Sequence, residues 1–491
     1  MAGQPKPAFY AALAVVVVGL VAFAIYRSDV FAPKAPPAGG GGAGAPAGNP
    51  IKPEELTAKA EAPDAASVTT VKEYKFRPAE RLPEVKGTAA YKAMTDKTLR
   101  FAINVWAGWS PIILANEGFK AGHAWKTPSG EDFKVELVLI DDPVAMRDAY
   151  AAGDVHIGWG TLDMVPLFLE GFVGKDGKPR DSRVMPRIYQ QVDWSNGGDG
   201  IVVRESVKTV SDLRGKKLVL AQNSPSHYFA LNMLVAGGVQ PAEVDMIFTQ
   251  DAFQAAAAFN ARPEISGAVS WAPDIYNLEK IKGNRMLVNT SQANKLIADI
   301  WFARADFAKD HPGIVEGLVR GIFDAMEKLK AESARKQVAE LMAQGYNIPA
   351  TDALNMLGDA HSTNWGENFQ FFKNQNNPTN FERVWNQAYM LYRRVGSITH
   401  QTVPFDQVMD YSVIEKLGKE DKYASQKDEY RLQLAPKTVS EIKGVEKEIL
   451  TNTIIIRFFP NSWDLHKKID KEADGKTVET LYDPNVDNVL K

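Results

Sequence analysis

GIVVRESVKTVSDLRGKKLVLAQNSPSHYFALNMLVAGGV, residues 200–239, is the stretch that decides the fold class. Residues 200–203 form a short β-branched run and read as a strand. Ser211 can cap a short helix, which Gly215 stops. Residues 218–221 are a second apolar strand. Residues 226–236 then keep a helical character until Gly237-Gly238 ends it. Strand, helix, strand, helix at this spacing predicts βαβ units and a mostly parallel sheet.

The same alternation extends in both directions. Downstream, residues 244–248, 252–260 and 268–270 read as strand, helix and strand. Upstream, residues 99–106 (LRFAINVW) form a strand. Ser110 follows as an N-cap, with Pro111 at the first helical position. Residues 135–140 (VELVLI) are another strand. Asp142-Pro143 repeats the device and opens a helix that should end at Gly153. Residues 155–159 run as a third strand into Gly160-Thr161. Between the two alternating runs lies Ser195-Asn196-Gly197-Gly198. Two α/β runs with a Gly-rich break predict two lobes. Residues 98–198 with 289–430 would form the first lobe and a helical extension, and 199–288 the second. Pro312 starts an amphipathic helix with Ile314, Leu318, Ile322, Ala325 and Leu329 on one face, expected to reach Gly345. The aromatics Trp365, Phe369, Phe371, Phe372, Trp385 and Tyr389 read as packing for the extension.

The ends of the chain set the compartment. Residues 8–26 (AFYAALAVVVVGLVAFAIY) are an uncharged apolar run, long enough at 1.5 Å per residue to span a bilayer core. Residues 1–27 therefore read as a transmembrane anchor, or as a signal segment cleaved after the A-x-A pattern at Ala22-Phe23-Ala24. Either reading sends the rest of the chain across a membrane, to the periplasmic face of the inner membrane if the anchor stays. Residues 28–62, rich in Pro, Gly and Ala, read as a flexible linker. Residues 51–97 read as a loosely structured lead-in. At 491 residues the chain is too long for one core. Its 57 basic and 60 acidic residues nearly cancel, giving no reason to expect a nucleic-acid partner. There is no cysteine. That excludes disulfides, thiolate metal sites, cysteine nucleophiles and a lipid-modified cysteine anchor.

Parallel α/β sheets bind ligands beyond the carboxyl ends of their strands, where helices begin with free N–H groups. Reading those positions gives Trp106, Trp109 and Ser110 after the first strand and Thr161 and Asp163 after the third. Asn196 lies at the lobe break. Ser224, Ser226 and His227 follow the 218–221 strand, Asp251 the 244–248 strand, and Trp271 and Asp274 the 268–270 strand. Each residue has a plainer role open to it: Ser110, Ser224, Ser226 and Asp251 as helix caps, Trp106 as core, His227 as a surface or supporting residue. Their interest lies in recurring at one end of successive strands. The pattern holds no H-E-x-x-H cluster and no nucleophile–base pair, so neither a metal, a cofactor nor an enzyme is expected.

Residues 101–119, 141–171, 200–239 and 268–277 together resemble the periplasmic solute-binding proteins of the nitrate/sulfonate/taurine importer group, which includes thiamine-pyrimidine binders. The resemblance covers roughly residues 98–345. It implies a two-lobed periplasmic-binding-protein fold (type II-like) that closes on one small molecule for an ABC-type permease. By position, Trp109, Ser110, Thr161, Asp163, Ser224, Ser226 and Trp271 match pocket sites of that group. This chain departs from it in offering no Arg or Lys at the strand ends, and Asp163, Asp251 and Asp274 instead. Carboxylates in a cleft favour a cation or an N–H donor, so a nitrogenous ligand is expected over a sulfonate or nitrate. A related eukaryotic group makes the thiamine pyrimidine by consuming its own residues through a cysteine-rich motif, which this chain lacks. In the tail, residues 453–462 (TIIIRFFPNS) and 483–491 resemble the opening of an OmpA-like peptidoglycan-binding domain, within residues 450–491. That leaves a second expectation beside the receptor: a membrane-tethered envelope scaffold or sensor with a degenerate clamp.

Overall fold

The computed structural model describes residues 68–77, 82–174, 176–399, 403–430, 464, 466–473 and 476–481. The predicted anchor or signal (1–27), the linker (28–62) and the residues that carry the OmpA-like resemblance (453–462 and 483–491) lie outside them. Among the described residues no helix is long and apolar enough to cross a membrane.

Thirteen strands build two sheets, and a hairpin of Lys468–Ala473 with Lys476–Leu481 stands apart from them. In chain order they are β1 (Phe76–Arg77), β2 (Thr98–Ile103), β3 (Trp125–Lys126), β4 (Asp132–Leu139), β5 (Ile157–Thr161), β6 (Pro186–Ser195) and β7 (Asp199–Arg204). Next come β8 (Lys217–Ala221), β9 (Asp245–Thr249), β10 (Gly267–Trp271), β11 (Asn284–Asn289), β12 (Ala298–Arg304) and β13 (Ala360–Ser362). The first sheet has the order β13-β6-β12-β5-β2-β4-β3, the second β1-β9-β8-β10-β7-β11. The chain crosses from first to second between Ser195 and Asp199 and returns between Asn289 and Ala298.

The sheets are mixed, not mostly parallel. Only β2 with β4 and β5, and β8 with β9 and β10, run parallel. The strands nearest the crossings, β6, β7, β11 and β12, pair antiparallel. This matters for the site. An antiparallel strand brings its beginning to the edge where a parallel strand ends.

Several local expectations shift. Ser110 is not a cap; it sits inside the helix Ser110–Ala115, after a 3-10 turn at Ala107–Trp109. The short helix Val210–Leu213 is capped by Thr209 in a reciprocal arrangement with Asp212, while Ser211 bonds to the Gly237 carbonyl. The long helix expected from Pro312 is two, Pro312–Lys328 and Glu332–Tyr346. No glycine or proline marks the break, so nothing local announced it. The second segment packs against the helix Ser110–Ala115. The five residues of the predicted apolar face are all buried.

The lead-in is poor in secondary structure yet firmly tied down. Phe76 and Arg77 add β1 to the edge of the second sheet. Thr70 bonds to Asp274 through its N–H (2.8 Å) and hydroxyl (2.6 Å). Arg77 pairs with Asp142 of the first lobe. Ala89 N–H and Lys92 N–H then bond to Ala151 and Gly153 carbonyls. A Cβ at Gly153 would lie 2.3 Å from the Ala90 carbonyl, so this strap needs glycine there. The main hydrophobic core surrounds the first sheet and takes in Phe253, Trp271 and Ala272 from the second lobe. The two lobes are therefore closed on one another.

Candidate functional site

Register assembles the site. Thr161 of β5 lies across from Asp299 of β12, Asp299 from Asp193 of β6, and Asp193 from Ser362 of β13. Directly opposed residues share a sheet face. In the second sheet Trp271 lies across from Asp199, which begins β7. Trp271 then reaches over the seam, and its indole N–H donates to the Val105 carbonyl of the first lobe at 2.9 Å.

The seam is strongly acidic. The Trp106 indole N–H donates to both oxygens of Asp193 at 3.3 Å. Gly108 makes room for that carboxyl, since a Cβ there would stand 1.7 Å from an Asp193 oxygen. Burial pushes the Asp193 carboxyl up to about 8, against the Trp106 donor. Its neighbour Asp299 is pushed well above the usual range by burial and by the charge of Asp193. The two residues stand directly opposite each other on β6 and β12, so a charge on either carboxyl works against a charge on the other. Asp199 accepts from the Ser195 hydroxyl (2.6 Å) and is raised to about 7, chiefly by burial. Asp163 is fully buried, and its carboxyl is driven well up by burial. No donor from outside its own turn reaches its oxygens; only the Thr161 hydroxyl and its own N–H act to favour the charged form. None of the groups acting most strongly on these four carboxyls is a lysine or arginine.

The second lobe answers with more unpartnered oxygens. The Ser226 hydroxyl, Gln222 Oε1 and Asn223 Oδ1, around the start of the helix Pro225–Ala236, are buried without a partner. The Thr161 hydroxyl, Gln191 Oε1 and one Asp199 oxygen share that state. Buried polar groups normally find a partner.

The other predicted residues are placed as follows. Trp109 is buried and gives its indole N–H to Asn104 (2.7 Å), with its ring against Phe101. Ser110 lines a surface cavity of about 220 Å³. Ser224 caps the helix Pro225–Ala236, and Asp251 caps the helix Ala252–Ala261. His227 packs its ring between Phe248 and Tyr392, and burial lowers its pKa to about 4. Asp274 is held by Thr70 and is raised to about 7 by burial. Asn196 accepts from the Tyr430 hydroxyl at 3.0 Å. Thr161 stands across from Asp299, Trp271 across from Asp199, Trp106 bonds to Asp193, and Asp163 feels the charge of Asp199, whereas Ser226 is buried in the first turn of the helix Pro225–Ala236. Asp199, Asp299 and Gln222 were not picked out from sequence. A larger cavity, about 670 Å³, opens on the first lobe beside Arg183, Arg187, Lys309 and Asp410 and holds none of the predicted residues. Among the described residues no group of three His, Asp or Glu side chains is arranged to hold a metal ion.

Residues 195–335 match the family described as NMT1/THI5 like. The chain is 28% identical over 229 residues to the taurine-binding periplasmic protein of Escherichia coli (strain K12), a stretch covering 46% of this chain and 66% of that protein. It thus spans just under two thirds of that relative. Among solved structures it is similar to the periplasmic aliphatic sulphonate binding protein SsuA from Escherichia coli, at 18% identity, 64% and 97% coverage and a TM-score of 0.48. It is also similar to the periplasmic nitrate-binding protein NrtA from Synechocystis PCC 6803, at 16% identity, 66% and 88% coverage and a TM-score of 0.48. The topology above, two α/β sheets joined by two crossings, is the two-lobed periplasmic-binding-protein fold.

Proposed function

We propose that this chain is an extracytoplasmic solute-binding protein that captures a small polar ligand between its lobes for an ABC-type importer and performs no chemistry on it. The observation that carries the reading is a set of buried oxygens in both lobes, among the seam carboxyls and around the start of the helix Pro225–Ala236, that lack partners. Such groups are costly unless something supplies donors. A ligand rich in N–H groups, carrying positive charge, supplies them. Taurine, the ligand in the relative's name, has an ammonium that suits the carboxylates and a sulfonate that could accept from Ser226 and the helix start beside it. Residues 8–26 would tether the receptor to the inner membrane, facing the periplasm.

A second reading, a tethered envelope scaffold with a clamp that stays shut, draws support from the lead-in strap that links both lobes. In that reading the tail, with its hairpin of Lys468–Ala473 and Lys476–Leu481, would contact peptidoglycan. Titration calorimetry against taurine, primary amines, aminopyrimidines, alkanesulfonates and nitrate separates the two. Tight binding of an amine or N–H donor without turnover supports the receptor. Binding of simple sulfonates or nitrate alone would overturn the ligand class. Silence across the panel, with cell-wall fragments retained by the full chain, would favour the scaffold.

A further inference from the structure

One buried polar group beside the seam comes from neither lobe. Tyr392 lies on the helix Phe381–Arg394 of the C-terminal extension and is fully buried. Its hydroxyl has no partner. Its ring stands 5.3 Å from His227 and 6.4 Å from Tyr228, both at the start of the second lobe's helix Pro225–Ala236. The charge of Asp163 also bears on it; burial first, then that carboxyl, push its phenol well above the usual range. Asp163 bears on Tyr228 in the same way. Tyr392 thus lies against the start of the second lobe's helix, on a helix that also packs on Met164–Leu169, the helix that Asp163 opens.

The helix that carries Tyr392 is fixed to both lobes. Phe381 and Trp385 belong to the core around the first sheet. Ala388 and Tyr392, further along the same stripe, belong to the core of the second lobe, which also takes in Leu167 from the helix following Asp163. The spacing from 381 to 385, 388 and 392 keeps all four on one helical face. Polar links reinforce the second attachment: Gln387 Nε2 donates to Asn232 Oδ1 at 3.0 Å, and Arg394 to Gln240 Oε1 at 3.3 Å. This stripe, of which only Trp385 was read from sequence and then as packing, therefore spans both cores.

We infer that the helix Phe381–Arg394 is a third wall of the interlobe site and that the Tyr392 hydroxyl contacts the ligand beside Asp163, adding a specificity determinant from outside the two lobes. The inference rests on the solute-binding reading above. A phenol can donate and accept at once. A ligand N–H directed at Asp163 would find a second oxygen in Tyr392.

Tyr392→Phe removes one oxygen and keeps the ring. Taurine and 4-aminopyrimidine are the probes, on the full chain, with Asp163→Asn as the control. The expected result is a loss of about tenfold or more in affinity with the ligand-free melting temperature unchanged. Unchanged affinity in Tyr392→Phe beside lost binding in Asp163→Asn would overturn the third wall and leave the solute-binding reading standing. Unchanged affinity in both variants would sink both. Should neither probe bind, the ligand-free protein decides. A hydroxyl idle in a dry core is a liability, and its removal should raise the melting temperature by roughly 2 °C or more. Such a rise overturns the inference, and its absence supports a hydroxyl that faces a solvated or ligand-filled space.

Discussion

Two turns in this protein share one design and differ in use. At the end of β5, Trp159-Gly160-Thr161-Leu162-Asp163 leads into the helix Met164–Leu169; at the end of β10, Trp271-Ala272-Pro273-Asp274 leads into the helix Asp274–Glu279. Both tryptophans are buried and each indole donates to a carbonyl, Trp159 to Ile140 within its own lobe and Trp271 to Val105 across the seam. Both aspartates are fully buried. Asp274, however, accepts from the N–H and hydroxyl of Thr70, 204 residues away, whereas no donor from outside its own turn reaches Asp163. A buried carboxylate at a strand end can thus be held by donors that the chain itself supplies. What separates the two is whether the chain brings its own donors, and those come from a distant strap.

The sharpest way to break this comparison is to neutralise each carboxyl. We expect Asp163→Asn to weaken the ligand at least 100-fold, about 2.7 kcal/mol, in calorimetry, because it removes the partner of a buried charge. The ligand-free protein should be as stable as before or more so in urea, since a burial penalty disappears. Asp274→Ala should do the reverse. It leaves the Thr70 donors without acceptors, and unfolding free energy should fall by about 2 kcal/mol. Faster hydrogen exchange at residues 68–77 should accompany that loss, with affinity little changed. An Asp274→Ala protein that stays stable and loses ligand would erase the distinction.

How far this was visible beforehand follows from the same geometry. The strands of the parallel cores appeared in sequence within three residues at either end, because short β-branched runs bounded by turn residues have few alternatives. The strand-end rule pointed to Thr161 and Trp271, which the register sets opposite Asp299 and Asp199. It could not find Asp299 and Asp199, which lie near the beginnings of β12 and β7. Only antiparallel pairing carries those beginnings to the edge where the parallel strands end, and pairing direction is not written in local periodicity. Thr70 and Tyr392 were hidden for a related reason, since the contacts that place each of them lie far away in sequence. The capping errors at Ser110 and Ser211 were local. A serine beside a helix start is ambiguous by one or two positions, and Thr209 with Asp212 closed the better reciprocal cap.

Acidity sharpens the contrast further. Asp199 and Asp274 are raised to about 7 and Asp193 to about 8, above a carboxyl's value of roughly 4 in an unfolded chain. Between those limits the folded protein holds protons that the unfolded chain has released. Stability therefore falls as pH rises from about 4 through 7, by up to about 1.4 kcal/mol per pH unit for each such carboxyl. The penalty is absent below that window and complete above it. Asp199→Asn should flatten the slope by one group's share in urea titrations from pH 4 to 8. An unchanged slope would mean that Asp199 is not held neutral by its burial. Affinity for a cationic ligand should run the other way and rise with pH, as the seam carboxyls give up protons to meet the charge.

The finest test uses two serines separated by one residue. Ser224 and Ser226 are both fully buried at the start of the helix Pro225–Ala236. The Ser224 hydroxyl accepts from the His227 N–H and donates to the Ala221 carbonyl at 2.8 Å. The Ser226 hydroxyl has no partner. Ser224→Ala should therefore cost about 1 kcal/mol of stability, the usual effect of removing an N-cap. It should shift affinity only as far as the helix start itself moves. Ser226→Ala removes an unsatisfied group and should leave the ligand-free unfolding midpoint where it was, while lowering affinity several-fold. Equal loss of stability in the two variants would show that Ser226 is a structural residue like its neighbour. Opposite profiles would place the boundary between scaffold and site within three residues of one helix.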